Sequence, residues 1–176
     1  MKYSLFYLIK GEADKYQQRL IHDIGPRFGE YHLIEKPLPT HITLKNPFEI
    51  EDSSDLKNLL EEFVKKQKAA PIEIKGFDNF NRLVVYSKVN FSSGAKKIQK
   101  NLVKSLENIG IELNNFDREH CPHTTISYAN KRETFHKILS YLNKIEKPNF
   151  KLKFDNITLM RKSKKYWKIE KIYNIN

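Results

Sequence analysis

Pro39-Thr40-His41-Ile42-Thr43-Leu44 and Pro122-His123-Thr124-Thr125-Ile126 are the two stretches that decide how this chain is read. In extended backbone, residues two apart share a face. His41 and Thr43 therefore project together, while Ile42 and Leu44 turn the other way into a core. The second stretch repeats the plan, with His123 and Thr125 on one face and Ile126 on the other. One such strand would read as carrying a structural histidine. Two, one in each half of a 176-residue chain, read as a paired site.

Outward from these strands the pattern is an interleaving of helices and strands. Ser4 to Ile9 reads as a buried first strand, and Tyr16, Leu20, Ile24 and Phe28 form a helical stripe that Gly25-Pro26 should distort or end. After the loop Pro37-Leu38-Pro39-Thr40 comes the strand His41 to Lys45. Ser53, Ser54 or Asp55 can cap a helix whose apolar face is Leu56, Leu59, Leu60, Phe63 and Val64. A strand opens at Pro71 and runs through Ile72 and Ile74, and another covers Leu83 to Tyr86, with Asp78-Asn79-Phe80-Asn81 as the expected turn between them. Ser92 or Ser93 starts a helix carrying Ile98, Leu102 and Leu106, and Gly110 stands where it should stop. The strand His123 to Tyr128 precedes a helix carrying Phe135, Ile138, Leu139, Leu142 and Ile145. Two strands, Phe150 to Met160 and Tyr166 to Tyr173, close the chain. Hairpin-like joins among the helices point to an α+β fold rather than a purely parallel sheet. No linker divides residues 1–176, which read as one domain, with two lobes sharing a cleft as the alternative arrangement.

The formal net charge of +11 attracts polyanions, so RNA, DNA or a phosphorylated ligand suits it. Most of that charge is lysine in a chain also rich in Asn and Ile, and solvated lysines need no ligand, so the charge supports such a reading without founding it. Cys121 is the only cysteine, which rules out an internal disulfide and fits a reducing cytoplasm. The apolar run Ser4 to Ile9 is too short for a membrane span and has no small-residue cleavage site after it. A cytoplasmic monomer without membrane attachment is the expectation.

The paired residues suit one chemistry in particular. Breaking a phosphodiester needs one group to activate the attacking oxygen and another to protonate the departing one. An imidazole, with its pKa near 6.5, does either near neutral pH. Threonine hydroxyls donate to the non-bridging oxygens and hold the phosphorus in line. The two imidazoles supply both proton transfers, so no cofactor or metal is expected.

At this point the sequence resembles the two-histidine phosphoesterase superfamily, which includes 2′-5′ RNA ligase-like proteins and cyclic phosphodiesterases. Paired His-x-Thr-x motifs some 80 residues apart carry the resemblance, and the order of elements agrees over nearly the whole chain. It implies a bilobal, pseudo-symmetric fold in which two antiparallel sheets flank a central cleft, helices pack outside, and each sheet supplies one motif. It implies catalytic His41 and His123, phosphate-binding Thr43 and Thr125, and RNA ends or nucleotides as substrate. By the same analogy, hydrolysis of a 2′,3′-cyclic phosphate would use His41 as acid to the leaving 3′ oxygen and His123 as base to water, and 2′-5′ ligase activity would use the same residues. Family members often carry proline directly before the first histidine, where this chain has Thr40.

Other residues are weaker candidates. Lys45 and Ser127 fall on the alternation of the two motifs and so are placed at the cleft, whereas Tyr128 is placed in the core with Ile126. Phe80 and Arg82 in the expected turn are candidates to stack on or grip a base, and His120 to line the cleft mouth. His120-Cys121-Pro122-His123 has no second Cys or His pair at zinc-like spacing. Trp167 is expected to pack on a helix, and Arg161-Lys162-Ser163-Lys164-Lys165 is either a solvated turn or a track for an RNA backbone. A binding or nucleotide-sensing module with little activity, or a phosphodiesterase for cyclic oligonucleotides, would keep the same pocket. Two titrating groups with both threonines argue for the enzyme.

Overall fold

Alternation in the first strand sets the architecture. In β1 (Lys2–Leu8) the side chains of Tyr3, Leu5 and Tyr7 enter one apolar cluster, while Phe6 and Leu8 enter another on the opposite face. The computed structural model describes residues 1–176. β1 pairs antiparallel with β2 (His41–Glu49) on one side and β7 (Asn156–Ser163) on the other, and β8 (Tyr166–Asn174) completes a sheet ordered β2-β1-β7-β8. The second sheet has the order β5-β4-β3-β6, built from β3 (Ala70–Phe80), β4 (Val84–Phe91), β5 (His123–Tyr128) and β6 (Asn149–Phe154). Both sheets are antiparallel throughout, and each carries its His-x-Thr strand at an edge.

Helices cover the outer faces. α3 (Ser54–Lys65) and α4 (Ser93–Asn108) bury Leu56, Leu60, Leu102 and Leu106 in the largest core, with Leu5, Ile42, Leu44 and Leu159 of the first sheet and Ile72 and Phe91 of the second. α1 (Glu12–Phe28) and α6 (Arg132–Leu142) close a smaller core in which Leu20, Ile24, Phe135 and Ile138 meet Val85 and Ile126 of the second sheet. Two short helices, α2 (His32–Glu35) and α5 (Asn115–Arg118), lie in the loops before each motif, too short to show a helical apolar period.

Three expectations about elements need correction. Pro26 does not end α1: the helix runs to Phe28 and stops at Gly29, which takes the left-handed conformation and donates its N–H to the Gly25 carbonyl. Only one hydrogen bond near the helix end is forgone. The turn between β3 and β4 falls later than Asp78 to Asn81. Asn81 and Arg82 both adopt positive φ, at 49° and 58°, and the Leu83 N–H donates to the Phe80 carbonyl, so Phe80 is the last strand residue. Finally, Phe150 to Met160 is two strands broken at Asp155, with β6 in one sheet and β7 in the other.

Candidate active site

The two motif strands lie across one cleft, and a cavity of about 560 Å³ is lined by His41, Thr43, His123 and Thr125 together. All four are half-buried. The Nδ1 of His41 lies 2.8 Å from the Pro39 carbonyl, and the Nδ1 of His123 lies 2.8 Å from the Cys121 carbonyl. A carbonyl only accepts, so each Nδ1 carries the proton and each Nε2 is left to act on a ligand. In both motifs the acceptor is the residue two before the histidine. Thr40 therefore gives the same local geometry as Pro122, although it lacks the ring.

Aromatics from neighbouring strands pack on both rings. Phe6 stacks on His41 with centroids 3.8 Å apart and planes 16° from parallel. Tyr86 and Phe80 pack on His123 at 5.2 and 4.8 Å, and Phe80 meets it edge-on. Burial pushes both histidines below the ordinary imidazole pKa. For His41 burial takes it to about 4, the Pro39 carbonyl opposes the shift, and a charge on His123 adds to it. His123 is likewise lowered by burial, against the pull of the Cys121 carbonyl. Neutral imidazole is favoured at both places in the unliganded cleft.

α1 ties both motifs to its first turns. The Thr40 hydroxyl donates to Asp14 at 2.5 Å and accepts from Gln18 at 2.8 Å. Buried Gln17 donates to the Thr124 and Thr125 carbonyls, at 3.2 and 3.0 Å, and accepts from the Ser87 hydroxyl. The polar residues at 14, 17 and 18 share one helix face by their spacing, which is the sequence signal for this contact.

Lys45 and Ser127 are not cleft residues, and one cause explains both. Thr43 pairs with Phe6 but Lys45 with Leu5, so Leu44 is an extra residue in β2. Thr125 pairs with Tyr86 but Ser127 with Val85, so Ile126 is an extra residue in β5. A bulge at the matching place in each motif strand reverses the alternation beyond it. Lys45 is buried, with a side-chain exposure of 2%, and its ammonium donates to Asp117 Oδ2 at 2.8 Å. Asp117 also accepts from the backbone N–H groups of Asn46 and Asn114, at 2.9 and 3.0 Å. Ser127 is buried, and its hydroxyl has no partner. The same reversal turns Asn46 and Tyr128 toward the cavity, so Tyr128 lines the cleft rather than the core.

Phe80 lines the cleft, while Arg82, exposed in its turn, does not. His120 also lines it, donating from Nε2 to the Thr43 carbonyl at 2.8 Å, and burial lowers its pKa. It thus tethers the loop before the second motif to the first motif. Trp167 packs not on a helix but beside Phe6, at 6.5 Å between centroids. No group of three or more His, Cys, Asp or Glu side chains comes together as a metal-binding set. No helix is long and apolar enough to cross a membrane.

The fold agrees with the comparisons to known proteins. No curated protein matches the sequence significantly. Among solved structures, TT0787 of Thermus thermophilus superposes with a TM-score of 0.73 at 16% identity, covering 99% of this chain and 98% of that one. E. coli LigT complexed with NADP+ superposes at 0.60 with 14% identity, over 99% and 97%. E. coli LigT complexed with 3′-AMP gives 0.59 at 14% identity over the same shares. These likenesses establish the fold. The family model of the 2′-5′ RNA ligase superfamily matches residues 17–165, and the chain belongs to that superfamily of two-histidine phosphoesterases.

Proposed function

We propose that this protein is a metal-independent phosphodiesterase that opens the 2′,3′-cyclic phosphate of an RNA end or a nucleotide. One observation carries the reading: two imidazoles line one cavity, each held through Nδ1 by the carbonyl two residues before it and with Nε2 left unengaged. A binding pocket has no use for two such groups held in matching tautomers. The cavity of about 560 Å³ falls within the usual range for small-molecule sites. E. coli LigT has been crystallised with ATP and with 3′-AMP, which supports a nucleotide as the occupant here.

In the proposed reaction, His123 Nε2 takes a proton from water as the water oxygen attacks phosphorus. His41, protonated at Nε2, gives its proton to the 3′ oxygen as the P–O3′ bond breaks, leaving a 2′-phosphate. The Thr43 and Thr125 hydroxyls donate to the non-bridging oxygens, where charge accumulates. Phosphate binding raises the pKa of a facing imidazole and so favours the protonated acid that the empty cleft disfavours. A 5′ hydroxyl in place of water would give a 2′-5′ linkage, so ligation uses the same residues.

The test is a panel of nucleoside 2′,3′-cyclic phosphates, a 2′-5′-linked dinucleotide and cyclic dinucleotides, with the product isomer identified. Release of 2′-phosphates supports the reading and these roles, and 3′-phosphates exchange the roles of the histidines. Tight binding without turnover of any substrate makes the protein a sensor and overturns the proposal.

A further inference from the structure

The cleft of this strongly basic protein contains no fixed cation. None of the residues lining the cavity is lysine or arginine, although the chain carries a net charge of +11. The phosphate between the histidines is therefore met by imidazoles and hydroxyls, which suits a single diester charge. A substrate with many phosphates needs its counter-charge elsewhere.

Such charge lies at the far end of the cleft-facing surface of the first sheet. The hairpin joining β7 to β8 carries Lys162, Lys164 and Lys165, none of which makes an ion pair, whereas neighbouring Arg161 is paired with Glu170 at 2.8 Å. Lys162 stands opposite Trp167 in the ladder, and its ammonium lies 5.3 Å from the centre of the indole. Trp167 neighbours Phe6, and Phe6 stacks on His41. On the same face of β8, Ile169 pairs with Met160 of the Phe6 cluster, and its side chain is left exposed. From His41, buried Phe6 thus leads to a surface path of half-buried Trp167 and exposed Ile169, which ends in three ammonium groups without ion-pair partners, the one on Lys162 also donating to the Lys165 carbonyl at 3.2 Å.

We propose that this path is the docking surface for single-stranded RNA whose reacting phosphate occupies the cleft, its backbone running to Lys162, Lys164 and Lys165. This rests on the reading of the cleft as a phosphodiesterase site, and it makes an oligonucleotide the preferred substrate over a mononucleotide. Flat and apolar side chains leading to a cluster of cations suit a strand that carries both bases and phosphates. Each lysine that neutralises a phosphate of a single strand contributes about 0.7 to the slope of log affinity against log salt.

The test compares wild type with the triple variant Lys162→Ala, Lys164→Ala, Lys165→Ala. Binding of an RNA oligonucleotide ending in a 2′,3′-cyclic phosphate is followed by fluorescence of Trp167, the sole tryptophan. Turnover of that oligonucleotide and of a nucleoside 2′,3′-cyclic phosphate is measured alongside. The expected result is that the variant loses about 2 units of salt slope, so a fourfold rise in salt weakens wild type about 15–20-fold more than the variant. Its kcat/KM falls at least tenfold on the oligonucleotide and stays unchanged on the mononucleotide. Equal salt slopes for the two proteins, or an equal loss on both substrates, overturns the proposal. If neither substrate turns over, the catalytic reading fails, while the binding slopes still decide the docking surface.

Discussion

Lys45→Met separates a structural lysine from a phosphate-binding one. The carboxylate of Asp117 is fully buried, and Lys45 is the cation that balances it, 2.8 Å away. The substitution leaves Asp117 its donors from Asn46 and Asn114 but removes its counter-charge. Orphaning one partner of a buried pair costs about 3–5 kcal/mol. With a urea slope of about 2 kcal/mol per molar, the unfolding midpoint should fall by about 2 M. Adding Asp117→Asn removes the stranded charge, so the double variant should recover about 1–3 kcal/mol relative to additivity. The assay is equilibrium urea unfolding of wild type, both single variants and the double variant, followed by Trp167 fluorescence. A loss below about 1 kcal/mol in Lys45→Met, with no coupling to Asp117, would mean that the pair is not structural and return Lys45 to the cleft.

Four lesser perturbations test other parts of the site. Because burial holds His41 and His123 low, the kcat/KM profile, which reports the free enzyme, should peak on the acid side of pH 6.5; a peak above about pH 7.5 would contradict the geometry. In thermal melts stability should fall as pH drops from 6.5 toward 4, because the unfolded chain takes up protons that folded His41 resists, and His41→Gln should flatten that slope. Thr40→Val breaks the links to Asp14 and Gln18, and should cost about 1–2 kcal/mol in urea unfolding and lower kcat about tenfold, because it loosens the loop that aims His41. Arg82→Gly relieves a left-handed residue outside the cleft, and should raise stability by about 0.5–1 kcal/mol in urea unfolding without altering turnover.

The motif strands were legible because period-two alternation is a property of the local chain. His41, Thr43, His123 and Thr125 needed only that rule to share one side of a strand. The rule failed at Lys45, Ser127 and Tyr128 because each bulge is created by pairing with a neighbouring strand, which local sequence does not state. Phe6 and Tyr86 read as ordinary strand residues for the same reason, since their contacts with the histidines cross between strands. Local sequence does not state strand order, so it cannot place Trp167 beside Phe6, which β8 meets only because it lies in the same sheet as β1. The break at Asp155 had a visible sign in Asp155-Asn156, two polar residues inside an otherwise strand-like run. Asn156 uses that position to bond the backbone of Leu8 in the first sheet.

On the proposed function, two histidines suffice for phosphodiester cleavage in this cleft. The most direct measurement incubates the purified protein with the four nucleoside 2′,3′-cyclic phosphates in EDTA, beside His41→Ala and His123→Ala. Wild type should turn these substrates over, and each variant should lose about 10²- to 10⁴-fold with its fold intact by circular dichroism. Wild-type levels of turnover in either variant, or turnover that EDTA abolishes, would contradict the proposed function.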